Sequence, residues 1–122
     1  EIDMLNILQA TKLSMIRAVK KLKESPTQLI IDGNIDLNLE DYPSTTIKKG
    51  DQKSMSIAAA SIIAKVHRDR YMQYLSYKFP IYDWSSNVGY GTKKHISQIN
   101  KKGITIHHRK SFEPIKSLIH NK

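Results

Sequence analysis

The stretch LIIDGN, Leu29 to Asn34, runs three large apolar residues straight into a carboxylate and a glycine. With Gln28 in front, it reads as a short strand over Gln28 to Asp32, apolar on both faces, as in a strand buried centrally in a sheet. Gly33-Asn34 breaks it. A polar, turn-rich loop from Asp36 to Ser44 leads to a second β-branched run, TTIKK, Thr45 to Lys49, ended by Gly50-Asp51. Asp32 and Asp51 therefore share a context, each closing a strand-like run beside a glycine. Asp-Gly after a strand is common turn chemistry. Strand ends are also where α/β sheets collect ligands, and two carboxylates there can share a hard divalent cation. Spacing alone leaves both readings open.

Helical patterns surround these strands. Asp3 is the expected N-cap of a helix whose stripe is Leu5, Leu8, Leu13, Met15, Ile16 and Val19, ending near Lys23 before Ser25-Pro26. From Ser54 to about Lys78 a long helix is predicted. Met55, Ala58, Ile62, Val66 and Ile57, Ala60, Ala64 make its first half apolar nearly all round, so that half is expected to be buried, while the second half is charged. FPIYDWSSNVGYGT, Phe79 to Thr92, is expected to be a structured loop, and helices are predicted over Thr92 to Lys102, closed by Gly103, and Phe112 to His120. The reading is a single α/β domain, with a sheet-and-helix part over about 1–80 and a loop-and-helix part over about 81–122. A fully apolar central strand needs neighbours on both edges, and only one further convincing strand is present. Because the chain also opens directly into helical pattern at Glu1, the expectation is a sheet whose other strands come from an N-terminal piece outside this sequence.

Twenty Lys and Arg against eleven Asp and Glu give a formal charge of +9 over 122 residues, a field that favours polyanionic partners. The absence of Cys removes disulfides and thiolate zinc sites, so the cytosol is the expected compartment. The longest apolar run, Met55 to Ala64, is broken by serines and falls short of the ~20 residues that span a membrane. No internal repeat is visible.

Several further residues have types that suit nucleic acid. Ser61 and Lys65 lie four apart on one helix face, with Arg68 three further on, where a hydroxyl and two cations can follow a phosphate backbone, although alanine-rich packing and solvated charge explain the segment equally well. Tyr90 sits between glycines, where an aromatic ring can stack on a sugar or base, or plug the edge of a core. His107-His108-Arg109 invites a metal reading, but adjacent histidines point apart and a polar cluster beside a core edge is the plainer account. The Lys pairs 20-21, 48-49, 93-94 and 101-102 are individually ordinary, and their sum is what argues for binding.

Taken in order, EIDMLNILQAT (Glu1 to Thr11), LIIDGN, KGD (Lys49 to Asp51), SIAAASIIAKVHRD (Ser56 to Asp69), GYGT (Gly89 to Thr92) and HHRKSF (His107 to Phe112) resemble bacterial ribonuclease HII over essentially the whole chain. The resemblance implies a ribonuclease H-like mixed sheet flanked by helices, incomplete at its N-terminus, with a helical C-terminal part. It further implies Mg2+- or Mn2+-dependent hydrolysis of RNA in RNA/DNA hybrids and at ribonucleotides embedded in DNA, by a cytoplasmic enzyme that is monomeric when complete. Of the family's four acidic residues, the third matches Asp32 and the fourth Asp51, both as catalytic metal ligands. The family's ribonucleotide-sensing tyrosine matches Tyr90, and Ser61, Lys65 and Arg109 are the expected further contacts to nucleic acid. Two departures stand out. The N-terminal DExGRG segment that carries the first two acidic residues is not in this sequence, and Val88 stands where a lysine commonly precedes the GY pair. Two carboxylates alone imply little or no activity for this chain by itself. The alternative class is a non-catalytic nucleic-acid-binding module in which the aspartates only make turns.

Overall fold

The computed structural model describes residues 1–120 and divides the chain into two compact units, residues 1–63 and the residues from Ala64 onward. In the first unit, α1 (Ile2–Leu5) is followed by α2 (Ile7–Lys20), and the cap of α2 is Asn6, whose side chain accepts from the Gln9 N–H at 3.1 Å. The expected cap at Asp3 is therefore displaced by three residues. Asn6 has φ 69° and ψ 167°, outside the left-handed helical well, and this break separates α1 from the longer helix. Arg17 reaches back to Glu1 through two hydrogen bonds of 2.8 and 2.7 Å, but both groups are exposed, so the pair adds little stability.

The two predicted strands form and pair in parallel: β1 (Leu29–Asp32) lies beside β2 (Ser44–Ile47) with Leu29 opposite Ser44 and Asp32 opposite Ile47. The ladder is extended at its ends by Leu29 N–H to Pro43 O at 2.8 Å and Gly33 N–H to Ile47 O at 3.0 Å. The connection between them is tied down by Asp36, whose carboxylate accepts from the Ser44 hydroxyl at 2.6 Å and the Asn38 N–H at 3.0 Å; these bonds, the hydroxyl foremost, hold its pKa below the usual carboxylate value. Leu37, in the same connection, is buried and lines a groove together with Leu5, Leu13 and Ile16. Burial along β1 alternates: Ile31 is buried and Ile30 is not, so the expected two-sided burial of this strand is not what the described residues provide.

After β2 the chain turns at Lys49, which adopts a left-handed φ of 54°, into α3 (Gly50–Lys53), a short helix resting on both strands. The long helix α4 (Met55–Lys78) follows within a residue of its predicted start. Its first half corrects the sequence reading. Ile57 is buried, but Met55 is 89% exposed and Ile62 64%, because an all-round apolar surface has more faces than the residues packed around it can cover.

The second unit contains the rest of α4, a 3-10 turn (Pro80–Tyr82), α5 (Trp84–Asn87), α6 (Lys93–Lys102) and α7 (Ile115–His120). The segment expected to be a loop thus holds two helical turns, set off by left-handed residues Asp83 and Val88. Its core is Leu75, Tyr82, Trp84, Ile99 and Ile115, with Met72, Phe79, Ile104 and Leu118 around them. Tyr82 stacks on Trp84 with ring centroids 5.1 Å apart and donates its hydroxyl to Gly103 O at 2.8 Å, which pins the end of α6. Helix α6 matches its prediction: Thr92 caps it through the His95 N–H and Gly103, at φ 81°, closes it. The fold is α/β, with a small parallel sheet followed by a helical C-terminal part. Among the described residues no helix is long and apolar enough to cross a membrane.

Candidate functional site

Asp32 is the last residue of β1, and its Oδ1 accepts the Gly50 N–H at 2.8 Å. This bond joins the end of one strand to the first residue of the helix after the other, and Asp51 is the next residue along, exposed in the first turn of α3. Asp51 therefore begins a helix rather than ending a strand. Gly50 sits in a tight space: a Cβ there would meet Ile57 Cδ1 at 2.6 Å, so the end of that side chain would have to shift, and would lie 3.4 Å from Asp32 Oδ1. Asp32 is an exposed residue although its Oδ1 is engaged, and Asp51 is a second exposed carboxylate. Hard oxygen donors of this kind suit Mg2+ or Mn2+, which take one or two protein carboxylates and complete their coordination with water and substrate phosphate. Among the described residues, no group of three or more His, Cys, Asp or Glu is placed to hold a metal.

Ser61, in the first unit, is exposed, and its hydroxyl bonds back to Ala58 O at 2.8 Å within α4. Lys65, in the second, is exposed and pairs with Asp69 at 2.7 Å. Arg68 takes a role the sequence did not suggest: it donates to Val88 O at 2.8 Å and lies 5.6 Å from the Tyr90 ring centroid. Arg109 is exposed with its guanidinium 4.0 Å from the centre of the Phe112 ring.

Tyr90 is 66% exposed, at the tip of a loop held from several sides. Asn87, buried, donates to Tyr82 O at 2.6 Å and accepts from the Gly89 N–H at 2.9 Å. Beneath the loop two histidines are buried in the aromatic cluster: His95 contacts Tyr90 O at 2.9 Å, Trp84 Nε1 at 3.1 Å and His108 Nε2 at 3.3 Å. Of the adjacent histidines, His108 is buried while His107 is exposed with its ring edge-on to Phe79, and both rings lie against Trp84. Burial first, and the neighbouring His95 second, push the His108 pKa down from 6.5 to about 4. Sequence reading passed over His95, Asn87 and the Arg68 contact to Val88. The only local signal was His95 four residues before Ile99 on the apolar side of α6, which says buried but not why.

A family model described as Ribonuclease HII matches residues 1–115 of this chain. The Ribonuclease HII of Staphylococcus carnosus (strain TM300) is 56% identical over 119 residues, which cover 98% of this chain and 45% of that protein. That of Orientia tsutsugamushi (strain Ikeda) is 55% identical over 93% of this chain and 54% of its own length, and that of Pelagibacter ubique (strain HTCC1062) 50% identical over 98% and 64%. The chain spans about half the length of the curated relatives it matches.

Two measurements check this geometry. Gly50→Ala should destabilise the first unit by about 1–3 kcal/mol through overpacking against Ile57 and speed hydrogen exchange at the residue 50 amide. For His108, the unfolded chain binds the extra proton below pH 6.5 while the folded chain resists it down to about 4. Stability should therefore be flat above that window, fall by at most about 3 kcal/mol as pH drops through it, and lose this slope in His108→Gln, as read by urea melts at successive pH values.

Proposed function

The chain belongs to the ribonuclease HII family, and from that premise we propose that it is part of a nuclease acting on RNA/DNA hybrids and on ribonucleotides embedded in duplex DNA. The observation that carries this reading is the 2.8 Å bond from the Gly50 N–H to Asp32 Oδ1, beside the exposed carboxylate of Asp51. Turn chemistry alone does not require a strand-end carboxylate to be anchored to the residue preceding a second one.

In this reading Asp32 and Asp51 hold divalent cations, Mg2+ or Mn2+, in a two-metal hydrolysis of the phosphodiester. Such cations, when bound, supply Lewis-acid stabilisation of the charge that develops on phosphate and make water acidic enough to attack at neutral pH. The Gly50 amide orients Asp32, so that its remaining oxygen meets a cation without a rotamer search. Tyr90 offers an exposed ring to the sugar that bears the 2′-hydroxyl, and Ser61, Lys65 and Arg109 contact phosphate. The Lys65 pair with Asp69 is exposed and weak enough to yield to a phosphate. The reading also makes the protein cytoplasmic and monomeric. A non-catalytic nucleic-acid-binding module would use the same net charge of +9 without divalent ions.

In a full-length ribonuclease HII carrying this sequence, Asp32→Asn or Asp51→Asn should lower cleavage of a duplex with one ribonucleotide by at least about a hundredfold while leaving hybrid binding measurable. Near-normal cleavage would refute the assignment, and tighter binding with no requirement for divalent ions would favour the binding module. The 122-residue chain alone should show turnover close to background with Mg2+ or Mn2+, because two like charges hold two cations poorly without further ligands; robust turnover would overturn that expectation.

A further inference from the structure

The hydrogen-bond polarity around the two buried histidines has a single self-consistent solution. The Trp84 indole N–H can only donate, so His95 Nε2, 3.1 Å away, must accept. The His95 proton is then on Nδ1, where it donates to Tyr90 O at 2.9 Å. Likewise the Thr105 N–H donates to His108 Nδ1 at 3.0 Å, which leaves the His108 proton on Nε2, pointing at His95 Nε2 at 3.3 Å. The Trp84 and His108 N–H groups share the one His95 Nε2 lone pair, Thr105 Oγ1 also lies 3.0 Å from His108 Nδ1, and the chain of contacts runs from Thr105 through both imidazoles to one carbonyl. That carbonyl also accepts the Thr92 N–H at 2.9 Å, so both its lone pairs are filled. On the other side of the ring residue, Arg68 holds Val88 O at 2.8 Å and Asn87 O accepts the Tyr90 N–H at 2.8 Å.

We propose that His95, backed by His108, is a positioning residue for Tyr90: its Nδ1–H fixes the Tyr90 carbonyl, so that the exposed ring is presented in one place to the sugar of a bound nucleic acid. This rests on the reading of Tyr90 as a substrate contact. Neither histidine touches substrate. Their effect is preorganisation: a ring held before binding loses less freedom on binding, and a ring held in one place discriminates a sugar with a 2′-hydroxyl from one without it.

The test uses a full-length ribonuclease HII carrying this sequence and two substitutions that divide the imidazole's functions. His95→Asn keeps an N–H donor near the place of Nδ1 and loses the Nε2 acceptor; His95→Gln does the reverse. Amide hydrogen exchange at Gly89, Tyr90 and Thr92 should stay slow in the unmutated chain and in His95→Asn, and rise about tenfold in His95→Gln, the effect of one lost buried hydrogen bond. Preference for a duplex with one ribonucleotide over the all-DNA duplex, measured without cleavage in Ca2+, should follow the same order while affinity for all-DNA duplex is unchanged. Nitrogen NMR of the unmutated chain should show His95 protonated at Nδ1 and His108 at Nε2, a readout that does not depend on any variant folding. Equal exchange in the two variants, or a His95 proton on Nε2, would overturn the proposal. A complete lack of ribonucleotide preference in the unmutated chain would count instead against Tyr90 as a substrate contact, with exchange and tautomer still deciding whether His95 holds the loop.

Discussion

A single backbone amide, the Gly50 N–H, is the contact on which the first unit turns. It is the group that ties the end of β1 to the start of α3, and it does so through a carboxylate oxygen, 2.8 Å away. Charge-assisted bonds of this kind are stronger than ordinary amide pairs, and this one sets the carboxylate's orientation. The surrounding sequence is shaped to permit it. Lys49 takes a left-handed turn, Gly50 leaves out the side chain that would collide with Ile57, and the parallel register puts Asp32 opposite Ile47, close to that turn.

The second unit solves a different problem, the burial of polar aromatics. Trp84 is 2% exposed and carries an indole N–H that must find an acceptor, and His95 supplies it. That acceptor in turn needs its other nitrogen satisfied, which draws in Tyr90 O, and the second histidine is oriented by Thr105. Satisfying one buried donor thus propagates to a loop tip and fixes it.

The helix α4 shows where apolar composition misleads. Its first half contains Met55, Ile57, Ile62, Ile63 and Val66, yet only Ile57 is buried. A pattern that is apolar all round predicts cover on every side, and it carries no information about which segment supplies that cover. Ile30 on β1 is the same case in a strand: period-two geometry gave Ile31 the packed face and left its neighbour on the other.

The sequence by itself determined the local elements whose signals are short-range: the two strands, the start of α4, and α6 with Thr92 and Gly103 at its ends. It also carried the family, because six motifs in order leave few alternatives; residue type and spacing only raised Asp32, Asp51 and Tyr90, and the resemblance made them the expected site residues. Only the tertiary structure decided that Asp51 opens a helix, that Asn6 rather than Asp3 caps α2, and that Arg68 serves the Val88 carbonyl. It alone revealed the path from Trp84 through His95 to Tyr90, whose members are spread over residues 84 to 108. The physical reason is that caps, strands and turns are settled by neighbours within a few residues, whereas the partner of a buried donor is chosen by whichever acceptor the folded chain brings within 3 Å, and no periodicity in the sequence encodes that choice.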